Sequence, residues 1–391
     1  MQELGIYIHV PFCVRRCPYC GFYSNACGGG CEDEINEYFG LLKEELAFRK
    51  NEYAGSSYSV DSKYSVDSIY FGGGTPSLAD PSLIASFIQS IDEAFGISDD
   101  PEISMEANPG TLTKSKLEGY RSAGVNRLSI GLQSFDDSVL KTLGRIHTAE
   151  DFVKSYEDAR RAGFDNVSVD LMFGVPGQTK DVWTSTLEKV VSMDPEHVSF
   201  YSLQIEEGTP FYEQYKMGDM VPVSDVDDRA MYHDAIRYLG EHGYGQYEIS
   251  NAAKKGFECR HNMKYWTFRD YLGIGASASS FIKGVRRTDP SEDYMTYINE
   301  GFPKELLPEN HKNSFFDNCA DYMITGLRLV QGVSEADFKE RFGEEIWEVF
   351  PDAREELRQF FDRGLVREEN GILYITETGM DVSNRIMECF V

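Results

Sequence analysis

Between Ser68 and Leu203 short apolar strands alternate with helices, and this alternation limits the fold more than any other feature. Strand patterns at Ser68–Phe71, Glu102–Ala107, Arg127–Leu132, Asn166–Met172 and His197–Leu203 are separated by helical patterns at Pro81–Phe95, Lys114–Ala123, Ala149–Ala162 and Lys180–Met193. A helix between consecutive strands carries the chain back over the sheet, so the strands run parallel with right-handed crossovers. A first strand at Gly5–Val10 and a helix at Glu32–Lys50 precede the series. The expected fold class is α/β, a partial (β/α) barrel. Its unusual residues fall at strand ends, where such folds place ligands. Residues 1–210 form the expected core and 211–308 an extension in which the alternation fades. Residues 309–391 form a mainly helical C-terminal domain, with helices at Asn318–Leu329, Ser334–Phe342 and Ala353–Arg363, a strand at Ile372–Ile375 and a final helix, a winged-helix-like order. The pentapeptide YSVDS occurs at Tyr58–Ser62 and again at Tyr64–Ser68, which reads as a local duplication in an exposed loop.

The net charge of −27 argues against general nucleic-acid binding, which needs a basic surface, so no nucleic-acid partner is expected. The same balance makes a lid or interaction role the expectation for the winged-helix-like domain. No apolar run has the length of a transmembrane segment, and Met1–Cys13 lacks the features of a signal peptide. Eight cysteines in 391 residues are too sparse for a disulfide framework. A cytoplasmic location is the expectation.

Cys13, Cys17 and Cys20 form C-x3-C-x2-C within CVRRCPYC. Thiolates this close on a short loop suit an iron–sulfur cluster, and three ligands on a four-iron cluster leave one iron open. Zinc is the competing reading, with a fourth ligand from Cys27 or Cys31. Gly72-Gly73-Gly74-Thr75-Pro76 follows a strand, where glycines let the backbone approach a ligand. Glu106, Gln133, Arg145 and Asp170 lie at or near later strand ends, and each alone would read as a structural hydrogen-bonding residue.

The triad, with Tyr19 before its last cysteine, resembles the signature of the radical S-adenosylmethionine (SAM) superfamily. YIHVPFC, GGGTPS, NRLSIGLQSF, DLMFGVPGQT and HNMKYW extend the resemblance over nearly the whole chain, to the oxygen-independent coproporphyrinogen III oxidase-like family. The resemblance implies a 4Fe-4S cluster on Cys13, Cys17 and Cys20 and a barrel of radical SAM type. It implies a SAM pocket formed by Tyr7, Tyr19, Gly73, Gly74, Thr75, Glu106, Gln133, Arg145 and Asp170, with Gln204 close by, and a reductant for the cluster.

Details decide the branch. Anaerobic coproporphyrinogen oxidases carry a further Cys two residues past the triad, where this chain has Phe22. His261-Asn262-Met263-Lys264-Tyr265-Trp266 is an HNxxYW motif and looks like the heme chaperone (HemW) branch. That branch implies binding of heme and its transfer to a heme-accepting protein, with His261 the candidate ligand, Cys259 a competing one, and His9 structural or SAM-facing. The residue reading also allows a core histidine at 261. One departure is Ser279, which stands where related sequences carry a His. Cys27, Cys31, Cys319 and Cys389 read as ordinary thiols. The alternative function is an oxygen-independent coproporphyrinogen III oxidase, an enzyme that decarboxylates porphyrinogen propionates. The residues leave open whether the protein is an enzyme, whether SAM is cleaved, and its oligomeric state.

Overall fold

The computed structural model describes residues 2–28, 30–55, 64–288, 294–302 and 313–391. The main sheet contains β1 (Gln2–Val10), β4 (Tyr64–Gly73), β5 (Ile97–Ala107), β6 (Arg127–Gln133), β7 (Val167–Phe173) and β8 (His197–Ser202). The expected helices lie between them, at Pro81–Phe95, Lys114–Ser122, Ala149–Arg161 and Lys180–Ser192, with a further short helix at Asp137–Thr142. Two short strands, β2 (Phe12–Cys13) and β3 (Asn25–Ala26), pair beside the end of β1.

Segment 211–288 adds strands to both edges of the same sheet. β9 (Gly245–Glu248) and β10 (Asn251–Ala253) extend it beyond β8, while β11 (Tyr271–Ile274), β12 (Ser279–Ile282) and β13 (Val285–Thr288) extend it on the other side of β1. The order is β13-β12-β11-β1-β4-β5-β6-β7-β8-β10-β9. Neighbours from β11 through β8 are parallel, and the outer strands are antiparallel.

Alternation along each strand separates two environments, because successive side chains point to opposite faces. On β6, Leu128, Ile130 and Leu132 are fully buried in the hydrophobic core. Arg127, Ser129, Gly131 and Gln133, in the intervening positions, line an interior cavity. β7 repeats the pattern, with Val167, Val169, Leu171 and Phe173 in the core and Asp170 and Met172 on the cavity. On β8, Val198 and Phe200 pack in the core while His197, Ser199 and Tyr201 line the cavity. A sheet with one apolar face and one polar, hollow face is what positions the site.

Two expectations need correction. The second YSVDS copy, Tyr64–Ser68, is not loop but the first half of β4, hydrogen-bonded to β1 with Leu4 opposite Val66. Its β-branched and aromatic residues suit a strand, and pairing outweighed the turn-like composition. The first copy, Tyr58–Ser62, and the Pro303–Pro308 stretch lie outside the described residues. Cys27 and Cys31, read as ordinary thiols, form a disulfide with their Cα atoms 5.6 Å apart. Gly30 N–H donates to Cys27 O at 3.4 Å, a local closeness that single-residue reading did not anticipate.

In the C-terminal part, helix Phe315–Gly326 leads to β14 (Val333–Ser334), then helix Glu335–Phe342 and shorter helices, then the hairpin β15 (Val366–Glu369) and β16 (Ile372–Ile375). Three strands ordered β14-β16-β15 against these helices give the winged-helix arrangement. Among the described residues no helix is long and apolar enough to cross a membrane.

Candidate functional site

Of the three signature thiols, Cys13 ends β2, and Cys17 and Cys20 lie on the loop that follows. Cys20 N–H donates to Cys17 O at 3.1 Å, which closes the loop into a turn, and Cys27 N–H donates to Cys13 O at 2.9 Å. All three are free and half-buried, and all three line one cavity of about 600 Å³. Burial pushes the Cys13 and Cys20 thiols up, so neither is tuned as a nucleophile, and deprotonation awaits a metal. Among the described residues no group of three His, Cys, Asp or Glu side chains could hold one metal ion. Three free thiols lining one cavity are the donor set a cluster takes, each cysteine on a different iron. The second coordination layer is in place, since Thr75 Oγ1 donates to Cys13 Sγ at 3.4 Å and Arg145 Nη1 to Cys17 Sγ at 3.6 Å.

The glycine turn locks against this loop. Gly74 N–H donates to Val10 O at 2.9 Å and Thr75 N–H to Phe12 O at 2.7 Å. A Cβ on Gly74 would stand 2.7 Å from Phe12 O, and one on Gly73, at φ +108°, would meet the His9 ring at 2.5 Å. These glycines are therefore required by close backbone approach. Gly73, Gly74 and Thr75 all line the cavity.

Glu106, at the end of β5, accepts from Tyr70 Oη at 3.0 Å and from Gly73 N–H at 3.1 Å. Burial, then the neighbouring Asp170, raise its pKa to about 7, against the lowering effect of those two donors. Asp170 accepts from Ser129 Oγ at 2.8 Å. Gln133 ends β6 at φ +70°, a left-handed conformation that a non-glycine residue holds at a cost, as often happens at ligand sites. Arg145 is pinned by Gly131 O at 2.9 Å and by Asn108 Oδ1, while its Nε finds no partner among the described residues. Burial opposes its charge, but Tyr19 and Cys17 hold its pKa up.

Glu106, Gln133, Arg145, Asp170, Tyr19 and Gln204 thus share one cavity with the thiols. Two expected residues do not line it. Tyr7 backs the wall, with its ring centroid 6.2 Å from that of Tyr70 and its hydroxyl donating to His9 Nδ1 at 3.0 Å. His9 in turn donates from Nε2 to Tyr23 O at 3.0 Å, a structural role. His261 is fully buried, with Nδ1 bonded to Ser68 Oγ at 3.0 Å and Nε2 to Tyr265 Oη at 2.9 Å. Burial, then Lys264 and Arg127, lower its pKa to about 3, so the ring is neutral. Its neighbour Asn262 does reach the cavity. Cys259 is also buried, beside Glu102 at 3.5 Å. Ser279 sits on β12 with its hydroxyl 2.8 Å from that of Thr288, away from the cavity.

Sequence reading missed Asn108, which donates to Thr75 Oγ1 at 2.8 Å and holds Arg145. Its place two residues after Glu106, in EANPG, was the available signal. It also missed Tyr70, Arg127, His197 and Tyr201, whose signal was polar or aromatic residues alternating with aliphatic ones inside predicted strands.

The radical SAM superfamily profile matches residues 7–190, and that of the HemN C-terminal domain matches 319–382. The heme chaperone HemW of Bacillus subtilis is 34% identical over 98% of this chain and 98% of its own length. The mitochondrial radical S-adenosyl methionine domain-containing protein 1 of Bos taurus is 32% identical over 99% of this chain and 87% of its own. Among solved structures, coproporphyrinogen III oxidase (HemN) from Escherichia coli superposes with a TM-score of 0.83 at 22% identity, covering 100% of this chain and 90% of that one, which establishes the fold alone. Membership implies a 4Fe-4S cluster and SAM, and the free thiols and glycine cradle fit both. This chain belongs to the radical SAM superfamily, in the coproporphyrinogen III oxidase-like family and its HemW branch.

Proposed function

We propose that the protein is a heme chaperone that binds heme, holds a 4Fe-4S cluster and SAM, and hands heme to an acceptor protein. The observation that carries this reading is position 22. Phe22, 72% exposed, stands on the cavity rim where the oxidases would present a further thiol. Ile146, also exposed, and the Arg15 guanidinium share that rim, which suits a flat apolar ligand with carboxylate arms. The relatives named heme chaperones support the same reading.

When bound, a cluster with one open iron supplies the means to cleave SAM reductively. The chain's own residues do the positioning. Cys13, Cys17 and Cys20 take three irons. The Gly73-Gly74-Thr75 backbone lets the methionine end approach, and Arg145 presents its free Nε toward a carboxylate. Glu106 and Asp170 accept from ribose hydroxyls, and Gln133 and Tyr19 complete the wall. Cluster reduction needs an external electron donor, and a cytoplasmic setting supplies one.

His261 remains our candidate heme ligand on the strength of its motif. With Nε2 held by Tyr265, coordination there requires Tyr265 to release the ring. Heme titration of wild type, His261→Ala and Tyr265→Phe tests this through absorption spectra. Loss of binding in His261→Ala and tighter binding in Tyr265→Phe are expected. Unchanged affinity and spectrum in His261→Ala remove the residue from the role. Reconstituted protein given coproporphyrinogen III, SAM and reductant without oxygen tests the function itself, and efficient protoporphyrinogen formation would establish the oxidase instead.

A further inference from the structure

The cavity extends well below the ligand-binding ends of the strands. Arg127 opens β6 and Gln133 closes it, so the two are separated by about 20 Å of strand. Both line the same cavity. Arg127 is 1% exposed, and its Nε and Nη1 have no hydrogen-bond acceptor among the described residues.

The groups around it are already committed. Glu102 accepts from Arg260 N–H at 2.9 Å, from His261 N–H at 3.1 Å and from Cys259 Sγ at 3.5 Å. His197 is bonded to Ser168 Oγ at 2.8 Å and to Tyr247 Oη at 2.9 Å. Tyr70 donates to Glu106. A guanidinium does not lose its proton in a protein interior, and the Glu102 carboxylate nearby balances the charge of this one while Nε and Nη1 make no hydrogen bond among the described residues. A cavity lined by a guanidinium with two unused donors has the chemistry of an anion site. Ser199 and Asn262 line the same cavity and offer neutral hydrogen bonds. The Glu106 and Asp170 carboxylates higher in the cavity disfavour a doubly charged phosphate. A planar monoanion matches the guanidinium fork.

We propose that Arg127 forms a carboxylate-binding subsite at the floor of the barrel, separate from the SAM residues, which takes the carboxylate of an alkyl acid. The source is either a small free acid or the propionate arm of a tetrapyrrole. The second source rests on the heme reading given above.

The test is calorimetric titration of the full-length, cluster-loaded protein with SAM present, using propionate as the probe. Saturable binding that weakens at least about tenfold in Arg127→Gln, with partial recovery in Arg127→Lys, is the expected result. If Arg127→Gln does not fold, wild type is compared with propionate and its neutral analogue propionamide, and only the acid should bind. Absence of binding, equal binding of the amide, or unchanged affinity in a folded Arg127→Gln variant would overturn the subsite. Competition by heme but not by heme dimethyl ester assigns the tetrapyrrole arm, and independent binding of heme and propionate assigns the free acid. A protein that binds propionate but no heme would sink the chaperone reading and leave the subsite standing.

Discussion

Glu106 concentrates the electrostatics of the site in one carboxyl group. Its pKa near 7 follows from burial and from Asp170 across the cavity, and the ionised form accepts a ribose hydroxyl more strongly than the protonated one. The deprotonated state is therefore the tighter-binding state, and SAM affinity should rise with pH through about 7. Equilibrium dialysis between about pH 6 and pH 8 checks this. Glu106→Gln should bind more weakly and lose the slope. Arg145 answers to geometry rather than titration. Its guanidinium touches Asn108, Gly131 and Cys17 at once, which a lysine cannot reproduce, so Arg145→Lys should weaken SAM binding by about tenfold or more even though the charge is kept. Cys17→Ser should lose acid-labile sulfide and visible absorbance on anaerobic reconstitution, with the fold intact by circular dichroism. Most of these residues were readable in the sequence because each sits in a short motif at a strand end. Tyr7 and His261 were readable as important but not as placed, because motif spacing does not say whether a side chain forms a cavity wall or the layer behind it.

At the level of elements, the helix Arg260–Trp266 depends on a distant strand. Its N-cap residue, Cys259, makes no side-chain capping bond, and Glu102 on β5 supplies the acceptors for the first helical N–H groups instead. Glu102→Ala should leave two of these buried donors unpaired and cost about 2–4 kcal/mol in denaturant unfolding, with Glu102→Gln costing less. No local pattern reveals such a cap, since the residues are more than one hundred and fifty positions apart. The parallel strands and their helices were legible because period-two and helical patterns are local, and the Pro81–Phe95 helix falls where the pattern predicts it. Tyr64–Ser68 and β14 were not. The first looked like loop by composition, and the second is a two-residue strand whose partner, β16, lies some forty residues on.

For the whole molecule, the C-terminal domain is tied to the barrel at the edge of the main sheet. Glu248, fully buried, takes Arg328 at 3.3 Å, and Val330 N–H donates to Tyr247 O at 3.1 Å. The Arg328 guanidinium also lies 4.4 Å from the centroid of the Trp266 ring. Arg328→Leu should strand the Glu248 carboxylate and cost about 3 kcal/mol. Faster limited proteolysis ahead of Phe315 would show that the joint had loosened. The order of the sheet also bears on how the protein is made. β1, which leads into the cluster loop, lies between β4 and β11, and β11 is not translated until Tyr271–Ile274. On the ribosome, the strand that presents the three cysteines therefore waits for most of the polypeptide before both its edges are covered. Metal loading should accordingly come late in biogenesis, and nascent chains arrested short of residue 271 should not retain iron.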